Sequence, residues 1–96
     1  MNKLDIDEIN ILPVKPQNGL VAFASVVINH QIYIGNIAIY TSPTVEEGFR
    51  LVYPDKMLPN GKRINCVHPI SREAGESIKQ AVIKHYLDLM SKVAHQ

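Results

Sequence analysis

LVAFASVVINHQIYIGNIAIYT, Leu20 to Thr41, is the stretch on which the fold turns. Both of its halves are rich in β-branched and aromatic residues, which suit a pleated surface. In Leu20–Asn29, strict alternation puts Leu20, Ala22, Ala24, Val26 and Ile28 on one face and Val21, Phe23, Ser25 and Val27 on the other. A strand that is apolar on both faces reads as a central strand covered on both sides. Ile32–Thr41 has the same character, and Asn29-His30-Gln31 between the two is short enough only for a hairpin. Gly35 interrupts the second strand, where a glycine marks a bulge or a close backbone approach.

Upstream, Asp5–Leu12 mixes isoleucines with acids and reads as an edge strand, broken by Pro13-Val14-Lys15-Pro16. Asn18-Gly19 is a tight-turn dipeptide, since both residues tolerate positive φ. Downstream, Thr41–Gly48 is a loop, and Phe49–Tyr53 and Lys62–Val67 are short strands connected by Pro54–Gly61. Pro59-Asn60-Gly61 suits a type I turn that closes with a glycine in the left-handed region. From Ser71 the period changes. Ile78, Ala81, Val82, Tyr86, Leu89 and Val93 recur every three or four residues, which predicts a helix face. Ser71 is a good N-cap, and Glu73 suits the positive end of the helix dipole. Gly75 has no local reason to stand in a helix unless something packs close to it. A second stripe, Ile83, Leu87 and Met90, widens the apolar face beyond what a lone sheet face needs, which points to contact with another subunit. The reading is one α+β domain over residues 1–96, with a mainly antiparallel sheet of about five strands followed by one C-terminal helix.

The totals agree with a small globular domain. The chain has 96 residues, 46% hydrophobic and 20% charged, with a net charge of +1. Its single cysteine, Cys66, rules out an internal disulfide and fits a reducing cytosol. The N-terminus MNKLDIDEIN carries acids where a secretory leader needs an apolar run, and no stretch has the ~18 apolar residues of a membrane span. These features predict a cytoplasmic protein with no membrane partner.

Little in the chain supports catalysis. Cys66 and His68 are two apart and would share a face of a strand, but a lone cysteine reads as a small buried hydrophobe. His30, His85 and His95 follow no ligand spacing, so no metal site is expected. Asp5, Asp7 and Glu8 fall on the edge strand, Glu46 and Glu47 in a loop, and Glu73 and Glu76 on the helix surface. No glycine-rich phosphate loop occurs. The expectation is no enzyme, no catalytic residue, no cofactor and no small-molecule substrate.

The basic residues are distributed less evenly. Arg50, Lys56, Lys62, Arg63 and Arg72, half of the ten Lys and Arg, fall within one short span, joined by His68. Asp55 and Glu73 are the only acids between Phe49 and Gly75. A hairpin displaying such cations would suit phosphates, whose neutralisation releases counterions.

GFRLVYPDKMLPNGKRINCVHPI, Gly48 to Ile70, also resembles the signature of the stage V sporulation protein G (SpoVG) family. The matching elements are Gly48, Pro54-Asp55-Lys56, Pro59-Asn60-Gly61 and His68-Pro69-Ile70, in gapless register. The preceding hairpin and the following helix are similar too, over roughly residues 5–87. The resemblance implies a homodimeric bacterial regulator of the sporulation and septation type that binds DNA, RNA or both. On that reading Arg50, Lys56, Lys62, Arg63 and Arg72 become the expected nucleic-acid contacts, with Lys56 the one at a motif position. The alternative is a protein-interaction module that uses the Asp5–Leu12 edge or the apolar helix face.

Overall fold

In the computed structural model, residues 4–46 and 48–94 are described. Glu47 and His95 therefore lie outside the described residues. Six strands precede one helix: β1 (Ile6–Gln17), β2 (Leu20–Ile28), β3 (Ile32–Thr41), β4 (Phe49–Val52), β5 (Asp55–Met57), β6 (Arg63–Asn65) and α1 (Arg72–Ala94). Strands β1 to β4 form an antiparallel sheet in sequential order, and β5 and β6 form a separate two-stranded ribbon. The architecture is α+β, as expected, although the strands divide into two sheets.

Backbone chemistry sets the turns. Asn18 (φ 53°) and Gly19 (φ 90°) make the two-residue turn between β1 and β2. Asn29 (φ 53°) and His30 (φ 58°) turn β2 into β3, where Gln31 N–H donates to the Ile28 carbonyl at 3.0 Å. Among the four register shifts of the sheet are bulges at Glu8 and at Asn36. Glu8 and Ile9 oppose the single residue Val26 across β1–β2, and Gly35 and Asn36 oppose Ser25 across β2–β3. Glu8 (φ 47°) and Asn36 (φ 58°) take the left-handed conformation at these bulges.

The core lies between α1 and the inner face of the sheet. Ala22, Ala24, Val26 and Ile28 of β2 meet Ile37 and Ile39 of β3 and Ile78, Val82, Ile83 and Tyr86 of α1. The alanines on β2 leave room for the helix to approach. Phe49 at the start of β4 packs edge-on against Tyr86, with ring centroids 5.5 Å apart. Ser71 caps α1, its Oγ accepting from Ala74 N–H at 3.1 Å.

Four expectations are corrected. Pro13 and Pro16 do not break β1, which runs on to Gln17. A proline removes a backbone donor, and β1 has a free edge where no donor is needed. Phe49–Tyr53 does not pair with Lys62–Val67. Instead β4 closes the large sheet against β3, with Tyr40 opposite Arg50, and β6 pairs with β5, which lies inside the expected connector. Strand β2 is covered on one face only, because a single helix cannot reach both sides of the sheet, and Val21, Phe23, Ser25 and Val27 stay half-buried. On the helix, Ile83 of the second stripe enters the core, while Val93 of the first stripe is exposed because it lies beyond the sheet's reach.

Candidate functional site

The five cations of the basic span fall on three elements. Arg50 lies on β4, directly across from Tyr40, and its guanidinium carbon sits 4.8 Å from that ring's centroid. Arg72 is the exposed first residue of α1, just after the Ser71 cap. Lys56, Lys62 and Arg63 belong to the β5–β6 ribbon, with Lys62 in its turn.

The ribbon is built by its turn. Gly61 N–H donates to the Leu58 carbonyl at 2.9 Å, and Leu58 N–H donates to the Lys62 carbonyl at 2.7 Å. Asn60 Oδ1 accepts from Lys62 N–H at 3.0 Å, and Gly61 takes φ +86°. This is the type I turn with a left-handed glycine that Pro59-Asn60-Gly61 predicts. Asp55, Lys56 and Met57 pair with Asn65, Ile64 and Arg63 respectively. Alternation therefore separates two faces. Lys56 and Ile64 share one face, and Lys62, one residue before β6, continues it. Asp55, Met57, Arg63 and Asn65 share the other.

Arg63 is engaged within the molecule. Its Nε donates to Asp55 Oδ2 at 3.0 Å and its Nη2 to Oδ1 at 2.7 Å, a two-pronged pair that braces the ribbon diagonally. These hydrogen bonds from Arg63, together with its charge, hold the Asp55 carboxyl below the usual carboxylate range. The same pair raises the Arg63 guanidinium. The structure thus groups Lys56 and Lys62, sets Arg63 on the opposite face, and leaves Arg50 and Arg72 on other elements.

The residues leading from the ribbon to the helix also depart from expectation. Cys66, one residue past the end of β6, is exposed, its N–H donating to the Pro54 carbonyl at 3.2 Å, because the ribbon that leads to it is not covered by the core. His68 is exposed, with Nδ1 3.1 Å from the Pro69 carbonyl. Before the ribbon, Tyr53 has a buried hydroxyl with no hydrogen-bond partner, and burial pushes its pKa up to about 12.

One constellation escaped the sequence. His30 Nε2 lies 2.8 Å from Asp5 Oδ2 and its Nδ1 2.8 Å from Asp7 Oδ2. These residues are distant in sequence, and only the antiparallel β1–β2 pairing brings them together. Their ligand atoms lie within 4.8 Å of one another, the spacing of a metal site, but each ring nitrogen already faces a carboxylate. The contacts join the β2–β3 turn to the start of β1, beside the Asn29 N–H to Asp5 carbonyl bond at 2.6 Å.

The SpoVG family model matches residues 4–88, the span that holds the sheet, the ribbon and most of the helix. The chain belongs to the SpoVG family. Among relatives named septation protein SpoVG, one from Finegoldia magna is 33% identical over 89 residues, covering 93% of this chain and 80% of the relative. One from Treponema denticola is 28% identical over 83 residues, covering 86% of each chain. One from Archaeoglobus fulgidus is 28% identical over 82 residues, covering 85% of this chain and 93% of the relative. In this member of the family, Gly48 (φ +84°) leads into β4, Pro54 precedes β5, and Pro59-Asn60-Gly61 turns the ribbon. His68-Pro69-Ile70 leads to the helix cap, where Pro69 packs beside Gly75. The motif residues are thus those that shape the backbone around the ribbon. Among the described residues, no helix is long and apolar enough to cross a membrane.

Proposed function

We propose that this SpoVG-family protein is a homodimeric, cytoplasmic, nucleic-acid-binding bacterial regulator of the sporulation and septation type, working without cofactor, small-molecule substrate or membrane. The observation that carries this reading is the ribbon, where Lys56 and Lys62 share one exposed face and the single nearby carboxylate, Asp55, is neutralised on the other. Folding gives little reason for such a display, since all six strand residues of the ribbon are exposed. Phosphates do give a reason, because lysines aimed at them release condensed counterions. Lys56 and Lys62 form the centre of the surface. Arg63 braces it and offers its remaining N–H groups, and Arg50 and Arg72 are outlying phosphate contacts.

The outer face of the large sheet supports the dimer. Leu12, Phe23, Ala38 and Val52 lie in one register row across the four strands, and α1 covers the opposite face. A second subunit would cover this apolar row. Strand addition by another protein at β1 is disfavoured, because two prolines and a bulge at Glu8 blunt that edge.

The test is a gel shift against mixed DNA and RNA pools at low salt with Lys56→Glu/Lys62→Glu. Both lysines are exposed, so circular dichroism should match wild type while the shift is lost. A double variant that binds as tightly as wild type would show that the surface lies elsewhere.

A further inference from the structure

The ribbon narrows the choice of nucleic acid. An isolated two-stranded ribbon is marginally stable, and this one has extra bracing in the Asp55–Arg63 fork, the Asn60–Lys62 bond and the Gly61 turn. It stands clear of the large sheet and of the helix, and Met57 and Ile64 keep 58% and 48% of their surface exposed. A braced ribbon whose strand residues are all exposed has the character of a probe.

We propose that the β5–β6 ribbon enters the major groove of duplex DNA, with its Lys56–Ile64–Lys62 face toward the bases. This inference rests on the nucleic-acid reading above and goes further, naming the form of the partner and the way it docks. Size is the first argument. Paired strands lie about 5 Å apart, and the B-form major groove, about 12 Å wide, admits a two-stranded ribbon. The A-form major groove of duplex RNA is too deep and narrow for side chains to read. Composition is the second argument. Single-strand binding depends on aromatic stacking platforms, and Asp55–Asn65 contains no aromatic residue. Charge is the third. Three cations (Lys56, Lys62, Arg63) against one carboxylate (Asp55) leave the segment at +2. With the Arg63–Asp55 pair turned outward, Lys56 and Lys62 flank Ile64 and reach the phosphates at the groove edges, while the Ile64 side chain meets base edges such as thymine methyls.

The experiment compares four probes of one mixed sequence, duplex DNA, duplex RNA and each single strand, at low salt, with guanine N7 methylation interference on the DNA duplex. The expected result is preferred binding of duplex DNA, interference from N7 methyl groups in the major groove, and no competition from a minor-groove ligand. Lys56→Gln/Lys62→Gln should also flatten the slope of log K against log salt by about 1.8 per ribbon, at ~0.9 for each phosphate contact. Binding that ignores N7 methylation, or that favours either RNA form or single strands, overturns the groove assignment and leaves the nucleic-acid reading standing. Failure to bind any of the four probes overturns both.

Discussion

At the scale of single residues, space and backbone conformation make separable demands. A Cβ added to Gly75 would meet Pro69 Cγ at 3.5 Å, an ordinary contact, and Gly75 has no positive φ. Gly75→Ala is expected to raise stability by about 0.5–1 kcal/mol in urea denaturation, by reducing the freedom of the unfolded chain. Gly61 is the reverse case, with open space around it but φ +86°. Gly61→Ala should cost about 1–2 kcal/mol of local stability and loosen the ribbon turn, read as faster amide exchange at Leu58 and Gly61. Tyr53 shows a third kind of demand. Its buried hydroxyl lacks a partner, so Tyr53→Phe should leave stability unchanged or raise it by about 1 kcal/mol at pH 7. Burial holds the Tyr53 pKa in the folded protein at about 12, above the ordinary tyrosine value of about 10. The folded form therefore holds its proton more tightly than the unfolded chain does, and this contribution is lost as pH rises from 10 to 12. The gap between the denaturation curves of Tyr53→Phe and wild type should stay constant near neutral pH and shift in that alkaline window, with the variant losing less.

At the scale of elements, the ribbon depends on one ion pair and one turn. The Asp55 carboxyl is held below its usual range, first by hydrogen bonds from Arg63. The pair's contribution is therefore fully present above the ordinary aspartate range and is lost only as pH falls through the lower folded value. In an NMR titration, the Asp55 carboxyl should titrate below the ordinary aspartate range, and the Arg63 Nε–H signal should broaden over the same interval. An Asp55 that titrates like a free aspartate would mean that the fork is not populated in solution. The helix was legible because its period, its Ser71 cap and its apolar face agree. The ribbon was half legible. Its turn residues announced themselves, but with only three residues in each strand, alternation could not say that β5 rather than β4 pairs with β6.

At the scale of the whole molecule, one helix covers one side of a sheet that is apolar on both. The row from Leu12 to Val52 is the consequence. Leu12 keeps 66% of its surface exposed, so Leu12→Asp should not disturb the core beneath the sheet. It should convert a dimer to a monomer in sedimentation equilibrium at micromolar concentration, since a charge placed in the apolar row of the interface is left unpaired. A variant that sediments as wild type would place the subunit contact on another face, such as the helix end with exposed Leu87 and Val93.

Local chemistry in the chain determined the class of the fold, the Asn18-Gly19 and Pro59-Asn60-Gly61 turns, the bulge at Gly35 and Asn36, the helix and its cap. Each depends on residues close in sequence, whose φ preferences and spacing act before any long-range contact forms. Only the tertiary structure decided that β4 closes the sheet, that Arg63 is held by Asp55 on the face away from Lys56, and that His30 meets Asp5 and Asp7. Those facts depend on strand pairing and register, which one sequence leaves open wherever several short apolar strands could serve as partners.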